Sequence, residues 1–154
     1  LQLHHRTGLP RRPRAQVSIR LRSFKGCDPF EELLLGPTYC SQAVLQNNNL
    51  HISDIGVFEI HEAFAGQVLS NLAAMNSQKF ADKNFGGKKI GEIDMDKLNL
   101  KGGSLSLGHP FGATGSRLFT TASRRLQLEN QRFALIAECA DGGLGHACIL
   151  ERYD

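Results

Sequence analysis

Three segments of this 154-residue chain place reactive side chains beside glycine. The first runs Glu59-Ile60-His61-Glu62-Ala63-Phe64-Ala65, the second spans Gly102–Gly115 around Gly108-His109-Pro110, and the third is Cys139-Ala140-Asp141-Gly142-Gly143-Leu144-Gly145-His146-Ala147. In the second, Gly108 lets the backbone pass close to a ligand and Pro110 fixes the turn. The helix expected to follow would offer free N–H groups and a positive dipole end. An imidazole there can donate to a developing oxyanion or take a proton from a thiol. A histidine in a purely structural turn is the other reading, and the residues leave both open.

Cys139 ends an apolar run and opens a glycine-rich turn, a setting that can hold a tuned thiol against substrate. Most free cysteines are simply small buried hydrophobes, so here too two readings stand. His61 follows an apolar strand and can reach the same cleft as His109, or can serve as a capping or core histidine. Glu62 can orient a neighbouring group, or merely suit the first turn of a helix. Cys27, Cys40, Cys148 and His146 lack a comparable setting and read as structural. A zinc site built from His61, His109, His146 and Cys139 is the chemical rival. Position 65 is alanine, so His61-Glu62 is not the start of an HExxH signature, and no two of the four lie close in sequence. No metal site is expected.

These segments need a scaffold. Gln16–Phe24 partly alternates and reads as a weak strand, followed by a turn at 26–30. A helix is expected from about Thr38 to the asparagines at 47–49, broken off from Leu33–Leu35 by Gly36-Pro37. Ile55–Ile60 is a short apolar strand. Glu62–Met75 reads as a helix with Phe64, Val68, Leu72 and Met75 on one stripe; Ala63, Ala65 and Gly66 would let it pack closely and make it the buried helix. Positions 76–103 read mostly as loop, with one helical turn near Asp94–Leu98. Arg117–Leu128 is a helix, Phe133–Glu138 a buried strand, Asp141–Gly145 a tight turn and His146–Leu150 the returning strand. This order predicts an α/β layered domain.

Bulk properties narrow the class. Hydrophobic residues make up 41% of the chain, enough for a real core without staples. The four cysteines show no CxxC pair, which favours reduced thiols. A net charge of +3 suits an anionic small molecule and does not argue for nucleic acid. No apolar run reaches membrane-spanning length. Before Asp28 there is no acidic residue, yet there are six arginines and one lysine. That is the composition of a mitochondrial presequence, and equally of an unstructured basic tail.

The three blocks, in this order, resemble the C-terminal motifs of thiolases. His61–Ala65 resembles the Asn/His-Glu-Ala-Phe block, Gly102–Arg117 the Gly-His-Pro-x-Gly-x-Ser/Thr-Gly block, and Cys139–Ala147 the Cys-x-x-Gly-Gly-x-Gly block. The resemblance runs from about Gln16 to the end and leaves residues 1–15 as a basic, disordered tail; residues 16–154 would form the domain. The histidine form of the first block, with Leu33–Tyr39, is most similar to the β-subunit branch associated with the mitochondrial trifunctional fatty-acid oxidation enzyme.

The resemblance implies a mixed five-stranded sheet with helices on both faces. It implies that His109 activates a nucleophilic cysteine and helps hold the thioester oxygen. Cys139 would move a proton to and from the substrate α-carbon, His61 would complete the first oxyanion hole, and the Asp141 backbone N–H would serve the second. Glu62 and Gly108 would support them. The implied reaction is thiolytic cleavage of 3-ketoacyl-CoA, with coenzyme A as substrate and no permanently bound cofactor. Implied partners are a homo-oligomer built on dimers and a trifunctional-enzyme α-subunit; mitochondria are the implied site. The cysteine at 139 separates this pattern from ketoacyl synthases, which carry histidine there and need no α-proton transfer.

Two departures stand out. Asp141 replaces the usual Gly or Ala, bringing a carboxylate near a site for negative charge. The family's nucleophilic cysteine belongs to an N-terminal half that these residues do not include, so 1–154 alone is expected to lack turnover. A non-catalytic thiolase-like binding or assembly subunit is the alternative from a different class.

Overall fold

The structure, a computed structural model, describes residues 18–27 and 32–153, the first of these segments as backbone only. The expected tail at 1–15 and most of the turn at 26–30 lie outside the described residues. Strand β1 covers Ser18–Cys27, β2 Val57–Ile60, β3 Phe133–Ala140 and β4 Leu144–Tyr153. Helices α1 (Gly36–Asn47), α2 (Ala65–Asn76), α3 (Gln78–Asn84), α4 (Ser104–Leu107) and α5 (Thr114–Leu128) fill the remainder. Short 3-10 turns sit at Ile52–Asp54 and Met95–Lys97, the second where a helical turn was expected.

The sheet order is β1-β4-β3-β2, with β2 parallel to β3 and the other pairs antiparallel. The α/β, mixed character matches expectation; the described residues form four strands, and a fifth is not among them.

Alternation along β3 and β4 builds two cores. Leu135, Ala137, Ala147 and Ile149 face Cys40, Val44 and Leu45 of α1 and Met75 of α2. Ala134, Ile136, Cys148 and Leu150 face Leu118, Ala122 and Leu126 of α5. The sheet is thus covered on both faces, as the near-continuous apolar run in β3 requires.

Three expectations need correction. The helix expected from about Thr38 begins two residues earlier: Gly36 and Pro37 open α1, because proline near the first helical position gives up only an N–H with no partner there. The helix after His61 starts at Ala65, and it is not the buried one: Phe64 and Leu69 are both 63% exposed, and no atom lies within 4 Å of a Cβ built on Gly66. Its inward line is Gln67, Asn71, Ala74 and Met75. Asn71 turns the helix this way: its Oδ1 accepts from the Thr38 N–H at 3.0 Å and the Thr38 hydroxyl at 2.7 Å, and its Nδ2 donates to the Leu34 carbonyl. Finally, α3 interrupts a stretch read as loop. Ser77 caps it by accepting from the Phe80 N–H, and Phe80 and Phe85 pack around Tyr39.

Candidate active site

Among the described residues β2 is an edge strand, and Asn99 closes the end of its outer side beside an isolated bridge between Phe58 and Leu98. Asn99 accepts from the Ile60 N–H through Oδ1 at 2.8 Å and donates to the Ile60 carbonyl through Nδ2 at 2.9 Å. Its own N–H donates to the Phe58 carbonyl. Asn99 adopts φ +49, a left-handed conformation that asparagine tolerates better than most residues. The amide therefore stands in for a neighbouring strand where β2 ends and His61 begins. The His61 N–H continues the ladder by donating to the Ala137 carbonyl at 2.8 Å.

Glu62 does not sit in a helix. Its Oε1 accepts from Asn99 Nδ2 at 2.7 Å and its Oε2 from the Leu105 N–H at 3.1 Å, joining the first block to the second. A Cβ on Gly103 would stand 2.1 Å from that carboxyl group, so the glycine leaves the room it occupies.

α4 then ends at Gly108, whose N–H donates to the Ser104 carbonyl. Gly108 has φ +95 with open space around it, so conformation, not crowding, calls for glycine. The chain turns there and presents His109 five residues before α5, ahead of a helix as expected, although that helix starts at Thr114 and not at Arg117. The link to α5 is Thr114: its Oγ1 is 2.7 Å from His109 Nδ1 and 3.4 Å from the Pro110 carbonyl.

Cys139 and Gly145 face each other across the β3–β4 hairpin, closed by Gly142 and Gly143 with φ of +82 and +73. Above this hairpin opens a cleft of about 650 Å³ whose lining includes His109, Phe111, Thr114, Cys139, Asp141 and His146. His109 and Cys139, 30 residues apart in sequence, thus share one cavity. Cys139 is nearly buried while Asp141 is exposed, and Asp141 Oδ1 accepts from the Gly142 N–H at 2.9 Å. The carboxylate is therefore engaged with its own turn. His61 does not line the cleft. It lies behind His109, 3% exposed, with ring centroids 4.4 Å apart.

A family model for the thiolase C-terminal domain matches residues 13–152. The chain belongs to the thiolase family. It is 54% identical over 127 residues to the mitochondrial trifunctional enzyme subunit beta of Bos taurus, an alignment covering 82% of this chain and 27% of that one. A probable 3-ketoacyl-CoA thiolase of Caenorhabditis elegans is 52% identical over 127 residues, 82% of this chain and 28% of its own length. The 3-ketoacyl-CoA thiolase of Photobacterium profundum is 46% identical over 134 residues, covering 86% and 31%. The chain thus spans between a quarter and a third of the length of these relatives.

In this thiolase domain the second histidine is held neutral. Burial, followed by the neighbouring His109 and the Arg117 cation, lowers the His61 pKa to about 4, against a smaller opposing pull from Glu62. Burial also pushes the Cys148 thiol up to about 12, with Glu138 adding to the effect, which suits the inert role expected of it. Among the described residues, no cluster of three or more His, Cys, Asp or Glu could hold a metal ion.

Sequence reasoning passed over Asn99, Ser104, Thr114 and Arg117, which touch the thiolase motif residues. Ser104 Oγ lies 3.1 Å from His61 Nδ1 and accepts from Arg117 Nη2 at 3.0 Å. Ser104, Thr114 and Arg117 fall inside the Gly102–Arg117 block and were legible as neighbours of His109. Nothing in the pattern marks Asn99.

Proposed function

We propose that this chain supplies the proton-transfer half of a 3-ketoacyl-CoA thiolase site, opened by a nucleophilic cysteine from another segment. The shared cleft of His109 and Cys139 carries this reading. The Thr114 hydroxyl can donate a hydrogen bond to the Pro110 carbonyl and accept one from His109 Nδ1–H. That leaves Nε2 with a lone pair to take the proton of an incoming thiol. Cys139 sits at the other wall, where a thiol can protonate the α-carbon released when the Cα–Cβ bond breaks and remove that proton in the reverse direction. The Asp141 backbone N–H, at the rim of the cleft, is the proposed donor to the thioester oxygen; Glu62 and Gly108 hold the two motifs in register.

The substrates are 3-ketoacyl-CoA and coenzyme A, with no permanent cofactor. The name of the bovine relative, a mitochondrial subunit beta, supports a mitochondrial setting and assembly with an α-subunit; the proposed arrangement is a dimer-based homo-oligomer. Residues 16–154 are the domain. The exposed Phe64 and Leu69 support a packing role for α2 against the half that bears the nucleophile.

The test is thiolysis of acetoacetyl-CoA by 1–154 with and without the nucleophile-bearing half in trans. Activity only on complementation, lost again in His109→Ala, is expected. Turnover by 1–154 alone that disappears in Cys139→Ala would mean that a cysteine within this chain is the nucleophile.

A further inference from the structure

The two histidines at this site touch each other, yet their Nδ1 atoms meet different hydroxyls. His109 meets Thr114 at 2.7 Å, and His61 meets Ser104 at 3.1 Å. The hydroxyls differ in what else binds them. Thr114 has a second acceptor, the Pro110 carbonyl at 3.4 Å, so it can spend its proton there and accept from His109. Ser104 meets a guanidinium instead: Arg117 Nη2 donates to it at 3.0 Å. An arginine has no acceptor to offer, so this contact consumes a lone pair of Ser104 and turns its proton away.

We propose that Ser104 and Arg117 are positioning residues that fix His61 as its Nε2–H tautomer, so the two touching imidazoles carry their protons on opposite ring nitrogens. Ser104 is 8% exposed, and His61 Nδ1 is the one described acceptor within reach of its hydroxyl. The Ser104 proton therefore goes to His61 Nδ1, which must be unprotonated to receive it. The guanidinium also opposes a second positive charge on the ring. Arg117 Nε and Nη1 make no hydrogen bond among the described residues, so Ser104 is the one described hydrogen-bond partner of its guanidinium, which also feels the charge of Glu59.

For the proposed thiolysis the consequence is direct. A protonated His61 against His109 would oppose the positive charge His109 acquires when it accepts the thiol proton. A neutral His61 with a fixed Nε2–H leaves His109 free to act as base. This consequence rests on the thiolase reading above; the tautomer does not.

The test is therefore spectroscopic first. Two-bond 15N–1H correlation spectra of histidine-labelled 1–154 at neutral pH distinguish the two tautomers by their ring-nitrogen shifts. His61 is expected to show a pyridine-type Nδ1 and a pyrrole-type Nε2. In Ser104→Ala and in Arg117→Gln both resonances are expected to move toward averaged positions, whereas Ser104→Thr, which keeps the hydroxyl, retains the wild-type pattern. Far-UV circular dichroism identifies any variant that has unfolded, and the wild-type tautomer is decisive by itself if one does. A proton on His61 Nδ1 in the wild type, or unchanged His61 shifts in folded Ser104→Ala and Arg117→Gln, overturns the proposal. The expected tautomers without acyl transfer under any complementation would sink the thiolase reading and leave this one intact.

Discussion

Arg125 Nη1 lies 2.9 Å from Glu59 Oε1, and both side chains are withdrawn from solvent. The same guanidinium donates to the backbone carbonyls of Phe58 and Lys97 and to both oxygens of Glu129. One side chain on α5 thereby ties the 3-10 turn at 95–97 to β2 at Glu59, two residues before His61. Burial pushes the Glu59 carboxyl above its ordinary range, opposed by the hydrogen bond and charge of Arg125. Removing the cation should leave the buried Glu59 carboxyl and the Lys97 carbonyl without this donor, while the Phe58 carbonyl keeps only the Asn99 N–H. Arg125→Met is expected to cost about 3–5 kcal/mol in urea unfolding, and the double variant with Glu59→Leu to recover a good part of it. Equal stability of single and double variants would show that the pair is not coupled.

Asn99 is expected to behave as a strand in miniature. Asn99→Ala removes two hydrogen bonds to Ile60 and one to Glu62, and it places alanine at φ +49. Loss of about 2–3 kcal/mol is expected in thermal or urea unfolding, from the unmade bonds and the strained backbone together. Hydrogen exchange at the Ile60 amide should accelerate more than at Ala134 or Ile136 in the middle of the sheet. Uniform acceleration would mean that the amide contributes to global stability without bracketing the strand end.

His61 gives the domain a defined acid sensitivity. Its pKa falls from 6.5 to about 4 on folding, so between those values the unfolded chain binds a proton that the folded chain refuses. Stability must therefore fall as pH drops through that window, and it is unaffected by this group above about pH 7. The full effect is on the order of 3 kcal/mol at low pH. His61→Asn, which cannot titrate, should flatten the stability profile between those pH values by roughly that amount. An unchanged slope would assign the acid sensitivity to other groups.

The motifs were legible because their chemistry is local: a histidine between glycine and proline, and a cysteine ahead of Gly-Gly-x-Gly, announce themselves within a few residues. The buried strand at Phe133–Glu138, the returning strand at His146–Leu150 and the helix at Arg117–Leu128 were equally plain, since one covalent stretch carries each whole pattern. What failed were features decided by partners far along the chain. The face of α2 is set by Asn71 reaching Thr38, 33 residues away; of the expected stripe Leu72 and Met75 pack on the core, while Phe64 is left exposed. The placement of His61 behind His109, instead of in the cleft beside it, depends on Asn99 and Ser104, at separations of 39 residues from Ile60 and 43 from His61. α3 was missed for a different reason. Its seven residues carry too short a period to read, although the Ser77 cap was visible.

Two glycines of the β3–β4 region should fail in opposite ways when changed to alanine. Gly145 faces Cys139 across the hairpin, and a Cβ there would stand 2.6 Å from the Gly36 Cα and 2.9 Å from Cys40 Sγ. Backbone cannot step aside as a flexible side chain can, so α1 and the hairpin must separate. That opens the better of the two cores near Cys40 and displaces the strand that carries Cys139. Gly145→Ala is expected to cost about 2–4 kcal/mol through overpacking, and to increase the reactivity of the nearly buried Cys139 toward a thiol reagent. Gly142, by contrast, has open space around it but φ +82. Gly142→Ala should cost only about 1–2 kcal/mol, all of it conformational, and leave Cys139 as protected as before. Thiol-labelling rates followed alongside urea unfolding separate the two mechanisms. The Cys27, Cys40 and Cys148 thiols are best removed beforehand by conservative replacement, so that the signal reports Cys139. Equal labelling rates for the two variants would show that the contact between α1 and the hairpin does not control access to the site.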